Sequence, residues 1–197
     1  MNESTMAFPA NQLVATGGEL SSHVYENRST SVPRDLYWSA SLNFAPLNYC
    51  GESLECSATV EWLRIPNRNF RDINQTRIKL GDDDPISEGS FYMSRHDVAR
   101  TAMMTLSYLD DDRFRLALEM TVDFLGYDEG DENPNLYVTG EADVTYTGLI
   151  IVPDNLSPKP TTETDVLGIA EAFADLDCYQ KPIHQGFRYL LPPQNAG

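Results

Sequence analysis

The chain has 197 residues and a mass of 22.1 kDa, enough for one domain with a substantial hydrophobic core. Hydrophobic residues make up 41% of it and charged residues 22%, a composition that excludes a disordered, collagen-like or coiled-coil protein. The 14 basic residues against 30 acidic ones give a net charge of −16, which repels nucleic acid and anionic membranes. We therefore expect a globular protein that binds neither nucleic acid nor a membrane.

The first 34 residues are rich in Ser, Thr, Asn and Gly and show no sustained hydrophobic period. This composition predicts a loop-rich N-terminal arm over residues 1–34. The same segment lacks the basic and continuously apolar stretches of a secretion signal, so export by that route is not expected. No run approaches the roughly 18 apolar residues of a membrane-spanning helix, so none is expected.

Alternation of apolar and polar residues begins after this arm. Residues 36–44 alternate strictly, which predicts a half-buried strand. Residues 58–62 repeat the pattern with Trp62 on the apolar face, and Pro66 ends it because proline cannot donate to a strand ladder. A weaker strand over residues 73–80 runs into a Gly-Asp-Asp-Asp-Pro turn.

The second half of the chain gives clearer signals. Residues 102–108 and 114–124 alternate on either side of three aspartates, which predicts a hairpin, and residues 138–152 predict an antiparallel partner. Capping residues followed by apolar residues at helical spacing predict a helix near residues 163–175. The proline-rich residues 177–197 predict an extended C-terminal arm with room for one added strand.

At least six alternating runs separated by turn residues, without helices between them, indicate an all-β fold. The prediction is an antiparallel β-sandwich or jelly-roll-like barrel with one short C-terminal helix and extended N- and C-terminal arms. The sandwich domain is predicted to occupy residues 35–176, between the arms at 1–34 and 177–197.

The three cysteines are odd in number and irregular in spacing, which indicates free thiols in a reducing compartment. Cys50, Cys56 and Cys178 are therefore predicted to be buried as small apolar residues. A zinc site that combines them with His184 is disfavoured, because the gaps between the pairs exceed usual zinc-ligand spacing.

Three acidic clusters are interpreted as solvated turns, because none has the ligand spacing of an EF-hand loop. No metal and no cofactor are predicted. The clusters are Asp82–Asp84, Asp110–Asp112 and the acids between Asp128 and Glu132.

A sharper feature follows from the strands at 114–124 and 138–146. If their apolar residues face the core, then Glu119, Asp123, Glu141 and Asp143 share the outward face. Like charges on neighbouring strands are destabilising. Such an acidic patch is maintained at low cost when high salt screens it or a basic partner covers it.

A complementary basic strip lies earlier in the chain. Residues 64–79 carry Arg64, Arg68, Arg71, Arg77 and Lys79 against a single aspartate, a net charge of +4. A basic strip and an acidic face on one molecule favour contacts between copies.

No catalytic motif appears: the three histidines lie in unrelated contexts, and neither a Gly-x-Ser-x-Gly nor a His-Glu-x-x-His sequence occurs. The first hypothesis is therefore a non-catalytic structural assembly subunit, such as a coat, cement or tail component of a virion. Such a subunit forms homo-oligomers or binds other particle proteins through its arms, by strand addition, and through its segregated charge. An acidic immunity protein or nucleic-acid mimic that binds a basic toxin or nuclease in the cytoplasm is the alternative. An enzyme or ligand-binding sandwich is the third.

Overall fold

The computed structural model describes residues 8–80, 86–126 and 132–194. Within these ranges the chain forms strands and one α-helix, α1 (Glu163–Phe173). The strands are β1 (Ala15–Asn27), β2 (Val32–Phe44), β3 (Leu47–Tyr49), β4 (Glu52–Leu54), β5 (Ser57–Arg64), β6 (Thr76–Leu80), β7 (Glu88–Tyr92), β8 (His96–Asp110), β9 (Arg113–Phe124), β10 (Asn133–Ile151), β11 (Ile183–Gln185) and β12 (Arg188–Leu191).

Seven strands form a closed sheet in the order β1-β2-β5-β7-β8-β9-β10. Neighbours along this path are antiparallel, and a parallel pairing of β1 with β10 closes the ring, with Glu19 opposite Thr145 and Val24 opposite Ile151. β6 adds beside β7 on the same edge of β8, and β12 followed by β11 adds to β10. The predicted all-β class with one short C-terminal helix is confirmed.

Alternation correctly identified the central strands. The even-numbered side chains of β9 from Phe114 to Phe124 are all buried, and β8 and β9 form the predicted hairpin. The helix begins at a capping box, in which the Thr162 hydroxyl accepts from the Asp165 backbone N–H and the Asp165 carboxylate accepts from the Thr162 backbone N–H. α1 buries Val166 and Ala170 against the body of the domain.

The interior of the closed sheet is rich in aromatic residues. Trp38 and Tyr146 are fully buried with ring centroids 5.4 Å apart, and Phe70 lies 4.7 Å from Tyr146. A buried hydrogen-bonded chain joins the Ser22 hydroxyl to the Tyr146 hydroxyl at 2.6 Å and that hydroxyl to Tyr179 at 2.9 Å. Burial raises the pKa of Tyr179 to about 12. The three hydroxyls of this chain therefore satisfy one another, whereas the buried Trp38 indole N–H has no hydrogen-bond partner among the residues that the structure describes.

The prediction of an N-terminal arm through residue 34 is wrong for most of that segment. Residues 15–27 form β1, which lies between β2 and β10 in the ring. Its inward residues are Leu20, Ser22 and Val24, and the polar Ser22 hid the alternation. Phe8 is also buried, in ring contact with Tyr49, Phe91 and Phe124.

The C-terminal segment contains two strands, where the sequence predicted an arm with room for one. Residues 183–191 form the β11–β12 hairpin, and β12 pairs with the end of β10. Cys178, Tyr179 and Leu191 are buried in the main core. The segment docks because its apolar residues complete the core beside Phe70.

Trp62 also departs from its predicted place on the core face. A register irregularity between β2 and β5 lies beside Trp62, whose φ of 60° is left-handed. Val60 and Leu63 are both buried, while Glu61 and Trp62 between them are half-buried. A β-bulge therefore turns the indole to the outside of the sheet.

Two of the cysteine predictions hold. Cys56 and Cys178 are free and buried, whereas Cys50 is exposed in the turn after β3, contrary to expectation. Burial raises the pKa of the Cys56 thiol to about 11. The predicted turn at residues 81–85, the cluster Asp82–Asp84 and the acids 128–131 lie outside the described residues.

Candidate functional site

Five of the eight predicted site residues lie on the outward side of β6, β9 and β10, which with β8 forms a surface referred to below as the charged face. They are Arg77, Glu119, Asp123, Glu141 and Asp143. Strand register sets their arrangement. Arg77 on β6 is opposite Thr105 on β8, Thr105 is opposite Ala117 on β9, and Ala117 is opposite Glu141 on β10. One row across the face therefore begins with a cation and ends with a carboxylate, about 14 Å apart at normal strand spacing.

Two of the predicted acids share one arginine. Arg115 on β9 lies 2.5 Å from the Asp143 carboxylate and 3.0 Å from the Glu141 carboxylate. These hydrogen bonds raise the pKa of the Arg115 guanidinium. The Arg115 and Glu141 side chains are 48% and 58% exposed, so these ion pairs add little to folding stability.

The other two acids also have partners on the same face. The Tyr137 hydroxyl donates to the Glu119 carboxylate at 3.0 Å, and Arg100 lies 2.9 Å from Asp123. Glu119 is directly opposite Thr139, so no acid of the set faces another across the β9–β10 ladder. The crowding of like charge expected from the sequence is therefore relieved within the chain.

Sequence reasoning missed these partners, although one was visible. Arg115 has the same odd parity on β9 as Glu119, so the alternation already placed it outward. The contacts of Arg100 with Asp123 and of Tyr137 with Glu119 depend on the strand register, which the sequence does not specify locally.

The predicted basic strip is divided among three regions. Arg77 lies on the charged face with Lys79, but Arg64 lies over the Tyr37 ring, 3.9 Å from Asp35. The turn that begins at Pro66 leads the chain away from β5.

Two arginines after that turn hold distant segments in place. Arg68 donates to the Glu171 carbonyl on α1, and Arg71 donates to the Gln194 carbonyl near the C-terminus. Arg71 also lies 5.4 Å over the Phe70 ring, so both arginines have structural contacts away from the charged face.

The charged face has a simple layout. Arg77 and Lys79 occupy the β6 margin, and small neutral side chains fill much of the middle. The centre includes Thr105, Ser107 and Ala117, with Met103 between Lys79 and Glu119. The β8–β10 side holds four carboxylates, Glu119, Asp123, Glu141 and Asp143, with two arginines, Arg100 and Arg115. These four cations and four carboxylates balance on a chain whose net charge is −16.

Among the residues that the structure describes, no three His, Cys, Asp or Glu side chains are grouped so that they could hold a metal ion. No helix in the described ranges is long and apolar enough to cross a membrane. Compared with known proteins, the chain matches no family model, no curated protein and no solved structure. The surface of the chain itself is therefore the basis for any functional proposal.

Proposed function

We propose that this protein is a non-catalytic structural subunit that self-associates through the charged face. The observation that supports this is the separation of charge across one continuous sheet surface. Arg77 and Lys79 lie at the β6 margin and the carboxylates at the β9–β10 side, with the uncharged Thr105, Ala117 and Met103 between them. Such a surface is complementary to itself.

The layout fits a two-fold dimer. A two-fold axis parallel to the strands, between β8 and β9, brings β6 of one copy over β10 of the other. Arg77 then faces Glu141 of the second copy, because both belong to one row of the register. Thr105 and Ala117 lie at the axis, where their small side chains allow the two sheets to approach closely.

The charge of the whole chain favours this surface over others for self-association. Two copies at −16 repel each other wherever their acidic surfaces meet. The equal numbers of cations and carboxylates on the charged face remove that repulsion locally. Opposite charges that meet across it also fix the orientation of the two copies.

The C-terminal hairpin offers a second contact for a larger assembly. β11 is at the end of the strand order, with β12 as its one neighbour among the described residues. Ile183 in β11 and Phe187 in the following turn are 48% and 69% exposed. An exposed strand edge with apolar side chains favours strand addition by a second copy. A particle component of the coat, cement or tail type needs such a second contact.

Light scattering tests the proposal. The expected mass is about 44 kDa or a larger multiple of the 22.1 kDa chain, since the smallest closed unit is a two-fold dimer. Phe187→Ser is expected to leave the dimer and remove larger species. A 22.1 kDa monomer at every concentration contradicts the proposal and favours an acidic inhibitor of a basic protein.

A further inference from the structure

A second cluster lies on the outward side of β1, β2 and β5, referred to below as the aromatic face. It consists of His23, Tyr25, Tyr37 and Trp62. The Tyr25 and Trp62 ring centroids are 4.7 Å apart, and the Trp62 ring lies 6.3 Å from Tyr37 and 5.9 Å from His23. Tyr37 is fully buried although it points away from the interior of the sheet. These rings therefore form a small packed layer outside the sheet.

Trp62 has a strained backbone conformation. Its φ of 60° is an outlier for a bulky residue, and such strain is concentrated at functional sites. Because of the bulge, the Trp62 ring lies half-buried on the outer surface of the sheet instead of in the core. Packing of the core does not require this arrangement, since Val60 and Leu63 already fill the inward positions.

The exposed side of Trp62 faces a cavity of about 420 Å³. The wall combines aromatic and aliphatic side chains with one carboxylate. The lining residues are Tyr25, Thr30, Val32, Trp62, Ile86 and Glu88. An apolar wall with one convergent charged group is typical of a small-molecule site.

Two carboxylates meet beside this cavity. Glu61 on β5 is directly opposite Glu88 on β7, an unfavourable pairing of like charges. Burial and the Glu88 charge raise the pKa of Glu61, and His96 acts in the opposite direction. Arg64 lies 3.9 Å from Asp35 and 5.5 Å from the centre of the Tyr37 ring. A bound cation at Glu88 would offset the repulsion.

We infer that this cavity binds a small organic ammonium ion, with its charge at Glu88 and over the Trp62 and Tyr25 rings and its apolar part against Val32 and Ile86. Aromatic rings attract ammonium groups through their negative faces. The Glu88 carboxylate favours a cationic ligand, because a neutral ligand forms no ion pair with it. The inference is independent of self-association, because it concerns a different face of the closed sheet.

Titration with choline and with its neutral analogue 3,3-dimethylbutanol tests the inference. Trp38 is fully buried, so a ligand-dependent change in tryptophan fluorescence reports on Trp62. We expect choline to bind at least about tenfold more tightly than the neutral analogue, as a partly desolvated cation–π contact plus one carboxylate allows. N-acetyl-lysine methylamide, titrated in parallel, distinguishes a lysine side chain from a free amine as the source of the ammonium group.

Variants assign any binding to the cavity. Glu88→Gln is expected to remove most of the preference for the cation, and Trp62→Leu to abolish binding. Tyr25→Leu replaces the second variant if the strained position does not tolerate leucine. The controls are Tyr92→Leu, an exposed aromatic outside the cavity lining, and Glu132→Gln, an exposed acid. Equal affinity for the cation and its neutral analogue, or cation binding unchanged in Glu88→Gln, overturns the inference.

Discussion

The charged face and the aromatic face are outer surfaces of the same closed sheet, and they use opposite chemistry. On the charged face, Arg115, Glu141 and Asp143 stay about half exposed and pair with one another. On the aromatic face, Tyr37 is fully buried beneath Tyr25, Trp62 and the Arg64 side chain. Stability is therefore expected to depend on the aromatic face, whereas the charged face is the one that we propose for contacts between molecules.

The largest expected effect is on the aromatic face. Tyr37→Ala removes a fully buried ring and its hydrogen bond to the Pro33 carbonyl, and should lower the free energy of unfolding by about 3–5 kcal/mol. Tyr37→Phe keeps the ring and should cost only about 1 kcal/mol. Urea denaturation measures both. A loss below about 1 kcal/mol for the alanine variant would show that the outer layer is not a packed part of the fold.

A smaller effect on the same face depends on pH. Burial, and then the charge of Arg188, lower the pKa of His23 from 6.5 to about 4. The folded state therefore favours neutral His23, and this contribution is complete above pH 6.5 and lost as the pH falls to about 4. We expect about 3 kcal/mol of stability to disappear across that window, since one pKa unit corresponds to about 1.4 kcal/mol. His23→Gln should flatten this part of the curve, and parallel curves for the two proteins would refute the assignment.

The smallest effect on stability is expected on the charged face. Arg115→Ala breaks the contacts to Glu141 and Asp143, yet exposed ion pairs contribute only about 1 kcal/mol or less. The thermal midpoint should therefore hardly change, while self-association weakens because the face loses a cation. Arg28→Ala, which removes an exposed arginine from the turn between β1 and β2, is the matched control. A large loss of stability in Arg115→Ala would mean that the face is structural.

The parts of the fold that the sequence predicted are those with local periodic signals. β9 alternates over its whole length with a large side chain at every inward position, and α1 begins at a capping box. β1 was missed because Ser22 occupies an inward position, where the Tyr146 hydroxyl satisfies it. That contact spans 124 residues of sequence and has no local signal.

The candidate site was predictable only in part for the same reason. Parity along β9 and β10 places Glu119, Glu141 and Asp143 outward, and the structure agrees. The addition of β6 to β8 brings Arg77 into the same row, which no local pattern indicates. The aromatic cavity required the bulge at Trp62, which reverses the face that alternation assigns.

The measurement that tests self-association most directly is the solution mass of two charge-reversal variants, Arg77→Glu and Glu141→Arg, alone and mixed. In a two-fold dimer each variant alone places like charges together twice, whereas the mixture restores both opposite-charge contacts. We expect 22.1 kDa for each variant alone and about 44 kDa for the equimolar mixture, while Arg28→Glu behaves as the unmodified chain. Masses that are the same for both variants, their mixture and the unmodified chain would contradict the account.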